Sequence, residues 1–187
     1  MRRMLPLLLV LLASFPIACN REKLVPLSEY EVTDVEAKAY NFNVFPGAHF
    51  LEPQTQLLRK AHFVLHPKAK EAPPMAMYDT EKPIEEVAEY YANLYGYQLL
   101  QPNEAKKAKE KPQAYYSEGS LRTDAQALIP LLPKLGLSAD VSGATGGYKG
   151  VYVAPTEKYP RVTLQRPYYD VLSNTTVDKT LIILVRE

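Results

Sequence analysis

Pro83-Ile84-Glu85-Glu86-Val87-Ala88-Glu89-Tyr90-Tyr91-Ala92-Asn93-Leu94-Tyr95-Gly96 carries the plainest helical signature in the chain. Ile84, Val87, Ala88, Tyr91, Leu94 and Tyr95 recur at helical spacing and form one apolar stripe. Pro83 suits the first turn, and Glu85 and Glu86 suit the positive end of the helix dipole. Gly96 suits the left-handed position that ends a helix. The segment predicts a helix over 83–95 with one buried face, and that face needs a layer to cover.

The covering layer is legible downstream. Val151-Tyr152-Val153 and Arg161-Val162-Thr163-Leu164-Gln165 read as two strands that pair across a Pro-bounded turn. Residues 168–172 and 180–185 read as further antiparallel strands. Leu181-Ile182-Ile183-Leu184-Val185 is apolar on both faces, which predicts a central strand covered by helix. Tyr97-Gln98-Leu99-Leu100 reads as another strand. The expected class is α+β: a mostly antiparallel sheet with one main amphipathic helix (83–95) packed on one face.

Upstream, Phe42-Asn43-Val44-Phe45 reads as a short strand ended by a Pro46-Gly47 turn. Residues 57–66 end in Ala61-His62-Phe63-Val64-Leu65-His66 before Pro67. Their aromatic and β-branched content predicts a strand. A Pro-rich polar loop follows, and Met75-Ala76-Met77-Tyr78 reads as the return strand. Residues 103–113 are charged and read as an exposed loop or frayed helix. Thr123-Asp124-Ala125-Gln126 reads as a capping box, with Pro130 and Pro133 limiting the helix behind it. Residues 143–150 read as a Gly-rich connection.

The chain has 187 residues, formal charge +1, 14 Tyr, 16 Pro, no Trp and one Cys. The near-neutral balance argues against nucleic acid as a partner, which would want a basic face. One cysteine allows no disulfide within the chain, so the fold must hold by packing. Cys19 stands at the exit of an uncharged run from Met4 to Ala18 that follows Arg2-Arg3. A basic start, a short apolar core and a small residue before the cut form a secretory signal. The run is shorter than the ~20 residues a spanning helix needs. Residues 1–18 are thus expected to be a signal peptide, 19–40 a tether, and 41–187 one globular domain of ordinary size.

Phe15-Pro16-Ile17-Ala18-Cys19 resembles the lipobox of bacterial lipoproteins, although Pro16 stands where that family most often has Leu. The resemblance implies lipidation of the Cys19 thiol and cleavage just before it. Asn20 after the cysteine implies sorting to the outer membrane, so the expected location is the cell envelope with the lipid as the membrane contact. Cleavage would also remove Arg2 and Arg3, taking the formal charge from +1 to −1. A second resemblance, to small uncharacterised bacterial envelope proteins, rests on Phe45-Pro46-Gly47-Ala48, Glu85-Glu86-Val87, Tyr90-Tyr91, Leu94 and Gly96-Tyr97. It covers about a third of the chain and implies a fold without an activity.

Chemistry-bearing patterns are sparse. His62 and His66 are four apart, which on the expected strand separates them by about 13 Å. That spacing excludes a shared metal, and neither metal nor cofactor is expected. Gly143 to Gly150 lacks the Gly-Lys-Ser/Thr ending of a phosphate loop. No Gly-x-Ser-x-Gly elbow is present. Glu85, Glu86 and Glu89 fall on the polar helix face. The residues left as candidate binding contacts are Tyr148 and Lys149, expected on a mobile loop tip, and the Tyr115-Tyr116 pair. The expected function is a non-enzymatic binding or adaptor role toward another envelope component. A peptidoglycan- or glycan-binding module and a periplasmic hydrolase with a dispersed site are the alternatives.

Overall fold

A computed structural model describes residues 42–186. The expected signal peptide, Cys19 and the 19–40 tether lie outside the described residues. The elements are β1 (His49–Phe50), α1 (Glu52–Leu65), β2 (Met75–Thr80), α2 (Ile84–Tyr95), β3 (Leu99–Leu100) and α3 (Pro102–Lys107). They continue with β4 (Ala114–Ser120), α4 (Leu121–Leu128), a 3-10 turn (Leu132–Leu135), β5 (Gly147–Val153) and β6 (Arg161–Arg166). Last come β7 (Tyr168–Asp170), β8 (Thr175–Val177) and β9 (Thr180–Val185).

Seven strands form one sheet in the order β1-β2-β9-β6-β5-β4-β3. Every pairing is antiparallel except that of β3 with β4. The α+β class and the mostly antiparallel sheet therefore stand as the sequence predicts. The central position of β9 does too: it lies between β2 and β6, and all six of its residues are buried. β7 and β8 form a separate two-stranded ribbon.

The two sheet faces are covered by different helices. On the first, the α2 stripe of Ile84, Val87, Ala88, Tyr91 and Tyr95 packs against Ala76, Tyr78, Val162, Leu164, Ile182 and Leu184. Burial of each Ile, Val or Leu side chain among them contributes about 1.5–3 kcal/mol. Pro83 is the cap residue before this helix, and Gly96 ends it at φ 71°. A side chain other than Gly or Asn is strained at that angle. On the second face, Met75, Leu181, Ile183 and Val185 pack with Tyr168 from the ribbon, joined by Leu51 and Leu58.

Four sequence expectations are corrected. Residues 57–66 are not a strand but belong to α1. Leu57, Leu58, Ala61, His62 and Leu65 follow helical spacing, and Pro53 and Glu52 suit its first turn. This longer-range pattern outweighs the local aromatic content of 61–66. Residues 42–45 form no strand; only the turn at 46–47 is present, ahead of β1. The cap of α4 is Ser120, whose hydroxyl oxygen accepts the Thr123 N–H at 3.4 Å, so that helix starts before the expected box. The 143–150 segment is a loop only to residue 146, because β5 begins at Gly147 and pairs with β4.

Candidate functional site

α1 crosses the second sheet face on one side, and α4 with the 3-10 turn lies on the other. Between them is a cavity of about 140 Å³ that opens to solvent. Its floor is the sheet: Met75 and Met77 of β2, Gln165 of β6 and Leu181 of β9. One wall is the α1 stripe of Leu57, Leu58, Ala61 and Leu65, with Gln54, His62 and His66. The other wall is Leu121, Ala125 and Leu128 of α4, continued by Leu131, Leu132 and Leu135. Tyr168 through Val171 close one end. The volume is comparable to that of an apolar cavity that holds a benzene ring, roughly 150 Å³.

The walls are fixed to the sheet by hydrogen bonds as well as packing. The Met77 N–H donates to Thr55 Oγ1 at 2.9 Å, and the Leu51 N–H donates to the Met77 carbonyl at 2.9 Å. These bonds tie α1 to β2. Gln54 Nε2 donates to Asp170 Oδ1 at 3.4 Å across the closed end. On the other wall, the Tyr148 hydroxyl donates to Asp124 Oδ2 at 2.6 Å. Burial raises the Asp124 carboxyl above the usual range, and the Tyr148 hydrogen bond opposes that shift.

His62 and His66 sit together at the C-terminal end of α1, their ring centroids 4.7 Å apart. The sequence reading had them far apart, because it placed them on a strand. No group of three or more His, Cys, Asp or Glu residues suited to a metal occurs among the described residues. Burial, followed by the neighbouring charge of His66, holds His62 below the usual imidazole range. The folded state thus binds that proton less readily than the unfolded state. The stability this contributes is present above the unfolded imidazole value of about 6.5 and is lost progressively as pH falls below it. We expect the melting temperature of the wild type to drop more steeply between pH 7.5 and 5 than that of His62→Gln. Parallel curves for the two proteins would contradict the placement.

The four candidate contacts do not form one site. Tyr148 is in β5, buried, and stands behind the cavity wall, packed with Leu121 and Ala125 and bonded to Asp124. Lys149 points to the opposite face, where its Nζ meets Glu85 Oε1 of α2 at 2.9 Å. Tyr116 is half-buried against the core under α2. Tyr115 faces the other way and lies beside Tyr152, with ring centroids 5.4 Å apart. The residues that the sequence reading missed are the leucines of α1 and α4. Their signal was the 3.6-residue period from Leu57 to Leu65, masked by the apparent strand at its end. No protein-family model, curated protein or solved structure matches the chain.

Proposed function

We propose that the chain is a lipid-anchored protein of a bacterial envelope, sorted to the outer membrane, whose domain binds another envelope component without catalysing a reaction. An apolar group of that component enters the cavity between α1 and α4. The observation that carries this reading is the cavity itself: a leucine-rich recess open to solvent, in a protein whose two sheet faces are otherwise covered. Concave apolar sites with a few polar groups are the usual form of a binding site. The lipobox-like segment ending at Cys19 supplies the address, and its acyl chains would make attachment stable without a second membrane signal.

In-cell photo-crosslinking tests both halves. A crosslinking residue in place of Leu65, exposed at the cavity rim, should capture one specific envelope component. Adding Ala61→Phe, which fills the cavity from α1, should abolish the adduct. Cys19→Ala in the same cells should lose acyl labelling and keep the uncleaved precursor. Capture that persists with the cavity filled would remove the cavity from the reading. Normal maturation of Cys19→Ala would remove the anchor.

A further inference from the structure

The cavity floor contains a polar group that the protein leaves unused. Gln165 of β6 is only 5% exposed, and its side chain borders the leucine-lined space. Its side-chain amide has no hydrogen-bond partner among the described residues. Its amide atoms are reached from the cavity rather than sealed in the core, so a ligand group can meet them; polar groups in such recesses are ordinarily satisfied. The lining also has a definite charge character. Asp124 and Asp170 are its carboxylates, His62 and His66 stand in the α1 wall, and among the described residues no Lys or Arg lines it. An anionic head group would meet like charge there. A cationic one would find both carboxylates engaged, Asp124 by Tyr148 and Asp170 by Gln54, the Leu172 N–H and the Ser173 hydroxyl. It would also have to shed its water among leucines, which is costly.

We infer that the ligand of this cavity is a neutral amphiphile: an apolar body, about one six-membered ring in the enclosed part, carrying one hydrogen-bonding group that meets the Gln165 amide. A hydroxyl, a carbonyl or a carboxamide satisfies the requirement, since the Gln amide both donates and accepts. The inference rests on the reading of the cavity as a binding site, and it adds the ligand's chemical class and orientation. The polar group points inward to the sheet, and the remainder of the ligand points out toward the rim at Leu65 and His66.

The test uses three probes built on one ring: benzene, phenol and benzoate. Each is titrated into the full chain, with free probe concentration set by equilibrium dialysis, and followed on the labelled methyl groups of Met75 and Met77. A purely apolar cavity would favour benzene, because phenol must desolvate its hydroxyl. We expect phenol to bind roughly three- to tenfold more tightly than benzene, the range of one net hydrogen bond, and benzoate to bind more weakly than either. Gln165→Met, of similar length and without the amide, should reverse the order of phenol and benzene. Benzene binding as tightly as phenol in the wild type, or an unchanged preference in Gln165→Met, overturns the role of Gln165 and leaves the cavity reading in place. Benzoate binding as tightly as phenol overturns the neutral ligand. If neither benzene nor phenol moves the Met75 and Met77 methyls, the cavity reading itself falls.

Discussion

Tyr91→Ala is expected to lower the stability of the domain by about 3–5 kcal/mol, the range for truncating a fully buried aromatic side chain. Tyr91 is completely buried in α2, under the sheet's first face. Its ring meets Tyr90 edge to face at a centroid distance of 5.1 Å. Its hydroxyl accepts the buried N–H of Phe45 at 3.1 Å, 46 residues away in the chain. Burial drives the pKa of that hydroxyl far above the usual tyrosine value, which favours its neutral form. One side chain therefore fills the core beneath α2 and pins the segment that leads into β1. Because total domain stability is about 5–15 kcal/mol, the alanine variant should be largely unfolded in moderate urea. Tyr91→Phe separates the two roles. It retains the ring and leaves the Phe45 N–H without a partner, which costs about 1–3 kcal/mol. Urea unfolding followed by circular dichroism reads both variants. A Tyr91→Phe midpoint equal to that of the wild type would mean that the hydrogen bond contributes nothing.

Tyr91 was legible in the sequence, and the reason is physical. α2 lies across the sheet with a single dry face, so its apolar residues must recur every three or four positions. Proline and glycine mark its ends. β9 was legible for a related reason: it is covered on both faces, its run from Leu181 to Val185 has no polar position, and few other segments are apolar throughout. α1 was misread because its last turn, His62-Phe63-Val64-Leu65, has the composition of a strand. Its helical period shows only when residues 52–65 are taken together. β4 gave no signal of its own. Tyr115-Tyr116-Ser117-Glu118 places half-buried side chains on both faces near the sheet edge, so apolar and polar residues do not alternate there.

The cavity was illegible for a different reason. Its lining is drawn from Gln54 to Leu181, through two helices, a 3-10 turn, three strands of the main sheet and one strand of the ribbon. Each contributing residue is an ordinary core leucine, methionine or glutamine within its own segment. Only the gap between α1 and α4, which depends on how far apart the helices sit on the sheet, makes them a site. Gln165 shows this most clearly. In sequence it is a polar position in an alternating strand, which normally faces water. In the fold its face of β6 lies beneath the two helices.

Gly143→Ala is expected to destabilise the domain by about 2–4 kcal/mol through steric overlap and lost hydrogen bonds. It should also disturb the closed end of the cavity. In the sequence Gly143 looked like one of several interchangeable loop glycines. In the fold, a Cβ at this position would overlap the backbone carbonyl of Asn174. That neighbour cannot rotate aside as a flexible side chain would. The close approach joins the loop before β5 to the turn between β7 and β8. Asn174 Oδ1 accepts the Gly143 N–H at 3.1 Å and the Tyr169 hydroxyl at 2.8 Å. Thr176 Oγ1 donates to the Gly143 carbonyl at 2.8 Å and accepts the Thr145 N–H at 3.1 Å. Asn174 itself holds φ 52°, a conformation asparagine tolerates better than most residues. The added methyl must push the two loops apart and break several of these bonds together. Tyr168, Tyr169 and Asp170 of the same ribbon border the cavity, so their displacement reaches the site. Hydrogen exchange should show faster exchange at the Gly143 and Thr145 amides, and urea unfolding should show the lowered midpoint. Thr176→Val, which keeps the shape and removes only the hydroxyl, should cost less, about 1–2 kcal/mol. If Gly143→Ala retains wild-type stability with both amides still protected, the loops are not in contact as described. The ribbon would then have no rigid tie to the loop before β5.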